Sequence, residues 1–129
     1  MRETIFSANA PEPIGPYSQA VRVNNTYYFS GQIGLDPESG EFVSQTDVVL
    51  QTQQVMKNIT ALLVEENMTT SNIVKSSIFL KDMNDFPKVN DEYSKWFKDV
   101  FPARETVEVS RLPKDALVEI SVICVNDSE

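Results

Sequence analysis

The stretch ALVEISVICV, from Ala116 to Val125, constrains the fold of this chain more than any other. If it is a strand, alternation puts Leu117, Ile123 and Val125 on one face, while the other face carries Val118, Ile120, Val122 and Cys124. Both faces of the strand are therefore largely apolar. A sheet that contains such a strand needs cover on both sides, because otherwise a large apolar surface would meet water.

Other strand-like stretches lie before and after two helical ones. SQAVRV and TYYFSGQIGL alternate as strands do, and the turn-prone NNT between them predicts a hairpin. IVKSSIFLK and TVEVSRL are further strands, and a short first strand is expected from Thr4 to Phe6. With ALVEISVICV, these stretches account for the strands that the sequence predicts.

Two helices are expected between these strands. The first runs from about Asp47 to Asn67, where apolar residues recur at three- and four-residue spacing. The polar side chains between the apolar positions are Gln51, Gln54, Lys57 and Asn58. The second helix begins at Asp85, which is suited to be its N-cap, and Pro87 is tolerated in its first turn.

The predicted order is β-β-β-α-β-α-β-β, in an α+β fold that packs two helices on one face of a mixed sheet. Since the chain contains no repeat and no linker-like segment, a single domain over 1–129 is expected. Two helices cover only one face, so a partner subunit is expected to cover the other. The alternative is that the proline-rich N-terminal segment folds over that face.

Composition limits the chemistry that is open to this chain. It has 129 residues, a net charge of −8, one cysteine and no histidine. These counts exclude an intrachain disulfide and the usual zinc or iron sites, and they argue against nucleic acid as the main partner. The N-terminal stretch has charges at positions 2 and 3 and three prolines before Tyr17, unlike a signal peptide or a membrane anchor, so a cytoplasmic protein is expected.

Two charged residues, Arg104 and Glu119, lie in strands where apolar residues are cheaper to bury. Alternation puts Glu119 on the face of Leu117 and Ile123, which is the face assigned to a partner subunit. A carboxylate there must be paired or must hold a water molecule. The two residues alone leave two interpretations open: an interface salt bridge between them, or a functional site.

Five stretches of the chain, taken together and in order, resemble the Rid family in its archetypal RidA group. They are IGPYSQAV, SGQIGLDPESGE, KDMNDF, FPAR and RLPKDALVEI. The resemblance implies a chorismate-mutase-like fold, assembled as a homotrimer with active sites in the clefts between subunits. It also implies hydrolysis of reactive 2-imino acids, such as 2-iminobutanoate and 2-iminopropanoate, to 2-oxo acids and ammonia. Such imines are released by pyridoxal-phosphate-dependent dehydratases, and no cofactor or metal is expected.

The resemblance assigns the two charged residues to catalysis. Arg104 matches the arginine that binds the substrate carboxylate, a role suited to the planar fork of donors in a guanidinium. Glu119 matches the glutamate that positions the attacking water and takes its proton. A carboxylate in that role explains how the reaction proceeds in a chain without histidine.

Further positions match the substrate-binding residues of the family. Tyr17 and Ser30 match pocket residues, the carbonyl of Gly31 is the expected acceptor for the imine nitrogen, and Asn84 is a candidate for the rim of the cleft. Each residue also has a purely structural interpretation. Tyr17 could be an interface aromatic and Ser30 a strand hydroxyl. Gly31 could form a bulge, and Asn84 could be part of a helix start. The five matching stretches favour the pocket roles, except for Asn84.

The chain departs from the family pattern directly after FPAR, where a small residue and a cysteine are usual and Glu105 and Thr106 stand here. Since adjacent strand residues point to opposite faces, Glu105 is expected to turn away from the cleft that Arg104 enters. Thr106 is expected to line the carboxylate pocket. Cys124 does not replace the missing cysteine, because alternation puts it on the face opposite Glu119.

Three other functions remain as alternatives. A regulatory module could bind small carboxylates in the same cleft without turnover, although such binding requires only the arginine and leaves Glu119 without a role. A translation-inhibiting ribonuclease is disfavoured by the negative charge and the absence of histidine. A chaperone-like role has no residue signature in this chain.

Overall fold

The computed structural model describes residues 1–127, so the last two residues of the predicted 1–129 domain lie outside it. Six strands form one sheet in the order β1-β2-β3-β6-β4-β5, which is antiparallel except for the parallel pair β4–β5. Two helices complete the α+β fold, which confirms the predicted order of elements. The bounds are β1 Arg2–Ile5, β2 Ala20–Val23, β3 Thr26–Phe29, α1 Val48–Glu65, β4 Ile73–Leu80, α2 Phe86–Ser94, β5 Ala103–Glu108 and β6 Val118–Val125.

Strand β6 has the alternation that its sequence predicts. Val118, Ile120, Val122 and Cys124 are buried and belong to the core between the sheet and the helices. Glu119 and Ile123 are half-buried and lie on the other face. Within residues 1–127 of one copy, no helix packs on that second face. It carries apolar side chains from neighbouring strands: Val23, Tyr28, Phe79 and Val107.

Asp47, where the sequence predicts that the first helix starts, is the N-cap of α1. Its carboxylate accepts hydrogen bonds from the N–H groups of Val49 (2.9 Å) and Leu50 (3.2 Å). Two polar residues of α1 differ from the solvent-facing positions that an amphipathic pattern implies, since Gln51 and Asn58 are fully buried. Their side chains bond the backbone of the segment after β3. Buried carbonyl groups outside the sheet need hydrogen-bond donors, and the side-chain amides of these two residues supply them. This explains why the amides are buried.

The bonds of these two amides connect α1 to its surroundings. Gln51 Nε2 donates to the Ser44 carbonyl at 2.8 Å, and Gln51 Oε1 accepts from Leu117 N–H at 2.9 Å. Asn58 Nδ2 donates to the carbonyls of Ile33 (3.3 Å) and Leu35 (3.0 Å). Residues 33–44 and the start of β6 are thereby fixed against the helix.

Several predicted boundaries are wrong by a few residues. β3 ends at Phe29, and within the expected extension to Leu35 only Gln32 pairs with β6, at Ile120, because the chain turns there to pack on α1. β5 begins at Ala103 rather than Thr106, and β1 spans Arg2–Ile5 rather than Thr4–Phe6.

The start of α2 also differs in its capping. Asp85 occupies the N-cap position, but its side chain makes no capping hydrogen bond. Asp82 accepts instead from Asn84 N–H at 2.9 Å, because a 3₁₀ turn over Met83–Asp85 precedes the helix. Within residues 1–127, no helix has the length and apolar character needed to cross a membrane.

Candidate functional site

Glu119 lies in a cavity of about 590 Å³ between the N-terminal segment, the loop after β3 and β6. Its walls are mainly apolar, from Pro11, Ile14, Ile33, Leu35 and Pro113, with Tyr17, Ser30, Gly31 and Lys114 among the other lining residues. Burial raises the pKa of the Glu119 carboxyl above its ordinary value. A half-buried carboxylate that forms no ion pair with any other residue of 1–127 is suited to accept a proton from a bound water.

The Glu119 carboxylate lies directly against the backbone of Gly31. A Cβ placed on residue 31 would lie 2.7 Å from Glu119 Cδ and 2.9 Å from Glu119 Cγ, closer than side chains tolerate. Only glycine therefore leaves room for this carboxylate position. The backbone on either side is fixed, because Ser30 N–H donates to the Gln19 carbonyl at 2.9 Å and Gln32 pairs with Ile120.

The structure brings Tyr17 and Ser30 into the same cavity as Glu119 and Gly31, and their role in binding a substrate stays a prediction. Tyr17 is 54% exposed and forms part of the wall. The Ser30 hydroxyl donates to the Ser18 carbonyl at 2.6 Å, so its hydrogen is already used and the oxygen can only accept a further hydrogen bond. Ser30 lies directly after the end of β3, so it is a loop residue at the cavity wall and not a strand hydroxyl.

Sequence reasoning missed Gln19, which holds the outer wall of this cavity. Its buried side chain accepts from Ser7 N–H at 2.7 Å and donates to the carbonyls of Ser7 (3.1 Å), Ala10 (3.3 Å) and Pro11 (2.9 Å). The proline-rich segment is thus bonded along the side of the cavity. Pro11, Pro13 and Pro16 have no backbone N–H, so this segment can make few backbone hydrogen bonds of its own. These prolines were the sequence signal that a side chain must anchor the segment.

Arg104 projects from β5 toward α2, on the helix-covered face. Its β4 partner is the buried Ser76, and its Nη1 donates to Asn90 Oδ1 at 2.7 Å. Its Cζ lies 5.5 Å from the ring centroids of both Phe86 and Tyr93. The guanidinium is exposed to a cavity of about 390 Å³ formed with Phe101 and Pro102, among others, and its remaining donors are available there.

Asn90 is the second residue that sequence reasoning missed. It lies four residues after Phe86 and three before Tyr93, so the three side chains share one face of α2. Phe86, Val89 and Tyr93 recur at helical spacing and form an apolar stripe on this face. A polar residue at helical spacing inside the stripe was the signal for a contact with a charged partner.

Thr106 lines a smaller cavity of about 300 Å³ with Arg104, Phe86 and Met83. Its hydroxyl oxygen is buried and has no hydrogen-bond partner among residues 1–127. Asn84 is exposed within the 3₁₀ turn and is not part of the lining of the Glu119 and Arg104 cavities. Its assignment to the rim of a cleft stays a prediction.

Glu105 points away from Arg104, which confirms the expectation from strand alternation. It lies on the open face, where it accepts from Ser77 Oγ at 2.5 Å and pairs with Lys75 Nζ at 3.2 Å. These contacts, led by the Ser77 hydrogen bond, lower the pKa of the Glu105 carboxyl. Glu105 therefore does not neutralise Arg104 within its own chain.

The two catalytic candidates do not meet in one chain. Arg104 shares the helix-covered face with Ser76, whereas Glu119 pairs with Phe79 on the open face. Neither of them takes part in any ion pair formed within residues 1–127. The same part of the chain holds no group of three or more acidic, cysteine or histidine side chains arranged to bind a metal ion.

Comparison with known proteins gives the family of this fold and site. The sequence model described as Endoribonuclease L-PSP matches residues 7–126. A RutC family protein from Sulfurisphaera tokodaii is 52% identical over 122 residues, covering 95% of this chain and 97% of its own length. The human 2-iminobutanoate/2-iminopropanoate deaminase is 44% identical over 125 residues, covering 97% of this chain and 90% of the relative.

Solved structures agree with these sequence relatives. The crystal structure of YyfA from Yersinia pestis, described as a protein of unknown function of the conserved Rid family, matches with a TM-score of 0.94 and 49% identity. It covers 98% of this chain and 100% of its own chain. The chain belongs to the endoribonuclease L-PSP family, which includes RutC and Rid proteins. The resemblance drawn from the five stretches and the fold that it implies are thereby confirmed.

Proposed function

We propose that this protein hydrolyses reactive 2-imino acids to 2-oxo acids and ammonia, with 2-iminobutanoate and 2-iminopropanoate as representative substrates. The observation that carries the proposal is the pair of separate groups: a carboxylate with a raised pKa in a mainly apolar cavity, and a guanidinium with open donors. The name of the human relative, with 44% identity, supports this activity.

The proposed active site is formed by two copies of the chain. Because Arg104 and Glu119 lie on opposite faces of one sheet, a cleft that uses both needs each from a different copy. The open face carries apolar side chains such as Tyr28, Val107 and Val23, which are 37–47% exposed and suited to a subunit contact. We therefore propose a homotrimer with three equivalent clefts.

In the proposed cleft, Arg104 binds the substrate carboxylate through two N–H groups while Asn90 occupies Nη1. The bound water attacks C2 of the imine, and Glu119 accepts the proton that the water loses. The carbonyl of Gly31 accepts an N–H of the substrate, and the phenol of Tyr17 bounds the pocket.

The reaction is completed by loss of the nitrogen. Transfer of the first water proton through Glu119 to the imine nitrogen gives a carbinolamine. Glu119 then takes the hydroxyl proton and passes it to the amino nitrogen, and the C2–N bond breaks as the C2=O bond forms. Imino acid and water thus become 2-oxo acid and ammonia without a change of oxidation state, so no cofactor is required. Pyridoxal-phosphate-dependent dehydratases produce imines of this class, and we place the protein beside them in the cytoplasm.

Two alternatives are separated by the same experiment. Threonine is converted by a dehydratase in the presence of semicarbazide, which traps 2-iminobutanoate before it hydrolyses. Deaminase activity lowers the yield of semicarbazone in proportion to the protein added, and Arg104→Ala abolishes the effect. An unchanged yield, together with measurable binding of 2-oxobutanoate, would instead support a non-catalytic carboxylate-binding module.

A parallel incubation with RNA tests the endoribonuclease activity that the family description names. The net charge of −8 disfavours binding to a phosphate backbone, so no cleavage is expected. Cleavage that co-purifies with the protein and is lost in Arg104→Ala would contradict the proposal.

A further inference from the structure

The aromatic surroundings of Arg104 assign a role to a residue outside the proposed chemistry. We infer that Tyr93 is a positioning residue, which holds the Arg104 guanidinium in its carboxylate-binding orientation through its ring face and its bond to β4. This inference rests on the proposed carboxylate-binding role of Arg104. It goes beyond that role because Tyr93 acts through Arg104 and not on the substrate.

Arg104 needs support because it projects from an edge strand. β5 is the last strand of the sheet, and the Arg104 side chain is exposed. A long side chain in that position samples many rotamers unless neighbours restrict it, and substrate binding must then order it. Asn90 restrains one nitrogen at 2.7 Å, but a single hydrogen bond leaves the plane of the guanidinium free to rotate.

Two rings supply the missing restraint. The Cζ atom of Arg104 lies 5.5 Å from the centroids of both Phe86 and Tyr93, within the range of a cation–π contact. The rings differ in rigidity, because Phe86 is half-buried at the start of α2 whereas Tyr93 is only 2% exposed. Tyr93 also packs on Phe97, with ring centroids 4.8 Å apart.

The hydroxyl of Tyr93 fixes its ring relative to the strand that carries the sheet partner of Arg104. It donates to Ser76 Oγ at 2.8 Å, and Ser76 is the residue directly opposite Arg104 in the β4–β5 register. Burial raises the pKa of the Tyr93 phenol, which keeps this donor protonated. Helix, strand and guanidinium are therefore connected through one side chain.

The test compares three variants of the full chain. Tyr93→Leu removes both the ring and the hydroxyl, and Tyr93→Phe keeps the ring. Phe97→Leu is the matched control, because Phe97 is a buried aromatic just after α2 that packs on Tyr93, whereas the ring contacts of Arg104 are with Phe86 and Tyr93. Each is assayed for KM and kcat with 2-iminobutanoate, and for the Kd of 2-oxobutanoate by calorimetry. Chemical denaturation of each variant measures the loss of stability that is common to all core changes.

Tyr93→Leu is expected to raise both KM and Kd by about fivefold, the upper size of a cation–π contact at an exposed site, with kcat within about twofold. Tyr93→Phe keeps the ring face and loses only the bond to Ser76, so its KM and Kd are expected to rise by a smaller factor, up to about threefold. Phe97→Leu is expected to lose stability but to keep its Kd. If Tyr93→Leu does not fold, Tyr93→Met, which retains volume without a ring face, takes its place.

Equal increases in KM for Tyr93→Leu and Phe97→Leu would overturn the inference, as would an unchanged Kd in Tyr93→Leu. The Kd measurement needs no turnover, so it separates this inference from the proposed activity. If the parent protein binds 2-oxobutanoate but does not hydrolyse the imine, the deaminase proposal is wrong. The Kd values of the Tyr93 variants then decide the role of Tyr93 by themselves.

Discussion

Arg104 and Glu119 lie in strands separated only by β4, yet their side chains leave the sheet on opposite faces. The register of β4 fixes this arrangement, because Ser76 pairs with Arg104 and Phe79 pairs with Glu119, an odd number of residues apart. No rotamer change brings the two groups together. Any active site that uses both residues must therefore be formed by two copies of the chain.

The first prediction is that two inactive variants restore activity when they are mixed. Arg104→Ala and Glu119→Gln are each expected to be inactive as homo-oligomers, because each removes one half of every cleft. In trimers assembled from an equal mixture, about a quarter of the clefts combine an intact Arg104 with an intact Glu119. Co-refolding the two variants is therefore expected to recover about 25% of the parent rate.

The mixing experiment needs two controls. Each variant refolded alone gives the background, and light scattering confirms that both keep the mass of the parent assembly. A site contained in one chain would give no recovery at any mixing ratio, and a monomeric mass for the parent protein would contradict the proposed trimer directly.

The second prediction concerns the close approach of Gly31 and Glu119. In Gly31→Ala the added methyl group would lie 2.7 Å from Glu119 Cδ, so the carboxylate must move away from its present position. Displacement of a catalytic base by about 1 Å lowers kcat by up to about 100-fold, while KM changes less because Arg104 is untouched. Steady-state kinetics on 2-iminobutanoate measures both.

Gly40→Ala is the matched control for Gly31→Ala. Gly40 has a φ of +74° and no atom within 4 Å of an added Cβ, so alanine there strains the backbone without touching any cavity. It is expected to lose stability and to retain kcat. A parent-like kcat in Gly31→Ala would remove Glu119 from proton transfer.

The strand pattern of ALVEISVICV was sufficient to predict the two faces of the sheet, and the five stretches were sufficient to predict the fold. The register between β4 and β5 could not be predicted from the sequence. Parallel strands that are connected by a helix have no local sequence signal that shows which of their residues pair. Without that register, Arg104 and Glu119 could be placed in one ion pair. The structure separates them within the chain.

The two missed residues have the same physical explanation. Gln19 and Asn90 are amides whose partners are distant in sequence, namely carbonyls 8–12 residues away and a guanidinium 14 residues away. Spacing rules identify which face a residue lies on, but they do not identify which polar group needs a donor. That requirement appears only when the loops are placed.

The third prediction is a displaced acidic limb in the pH–rate profile. Glu119 must be deprotonated to accept a proton, and burial raises its pKa. The rate is therefore expected to fall, as pH decreases, at a higher pH than an ordinary glutamate would give. The profile of kcat/KM between pH 4 and 8 measures it, and a limb that is unchanged in Glu119→Asp and lies at an ordinary carboxyl pKa would contradict the assignment.

The fourth prediction compares two glutamates with opposite effects on stability. The folded-state pKa of Glu119 is raised, so its contribution to stability is present at low pH and is lost as pH rises through that pKa. Glu119→Gln is therefore expected to be more stable than the parent protein at pH 7, with the difference vanishing toward pH 4. Urea denaturation at both pH values, at one protein concentration, measures it.

Glu105→Gln is the control with the opposite sign. The hydrogen bond from Ser77 and the contacts with Lys75 lower the Glu105 pKa, so its contribution is present above the ordinary carboxyl pKa and is lost as pH falls through the lowered value. Glu105→Gln is expected to be less stable than the parent at pH 7. The same sign for both variants would show that the two carboxylates are not in the environments described.

The fifth prediction is that Thr106→Cys changes the rate by less than about tenfold, equivalent to ~1.4 kcal/mol. A threonine hydroxyl is a poor nucleophile without an adjacent base, and this chain has no histidine to supply one. In the proposed mechanism water attacks an imine carbon that is already electrophilic. The residue at 106 then provides only a small side chain, and a free hydroxyl, beside Arg104.

The role of the Thr106 hydroxyl can be tested without introducing a thiol. Thr106→Val deletes it at constant volume, and Thr60→Val on α1 deletes the other buried hydroxyl that lacks a partner within residues 1–127. If Thr106 bonds the substrate, only Thr106→Val raises KM. Cys124 does not interfere, because burial raises its pKa to about 12 and keeps the thiol protonated. An inactive parent protein that gains turnover in Thr106→Cys would instead mean that a thiol is the nucleophile, and the water mechanism would be wrong.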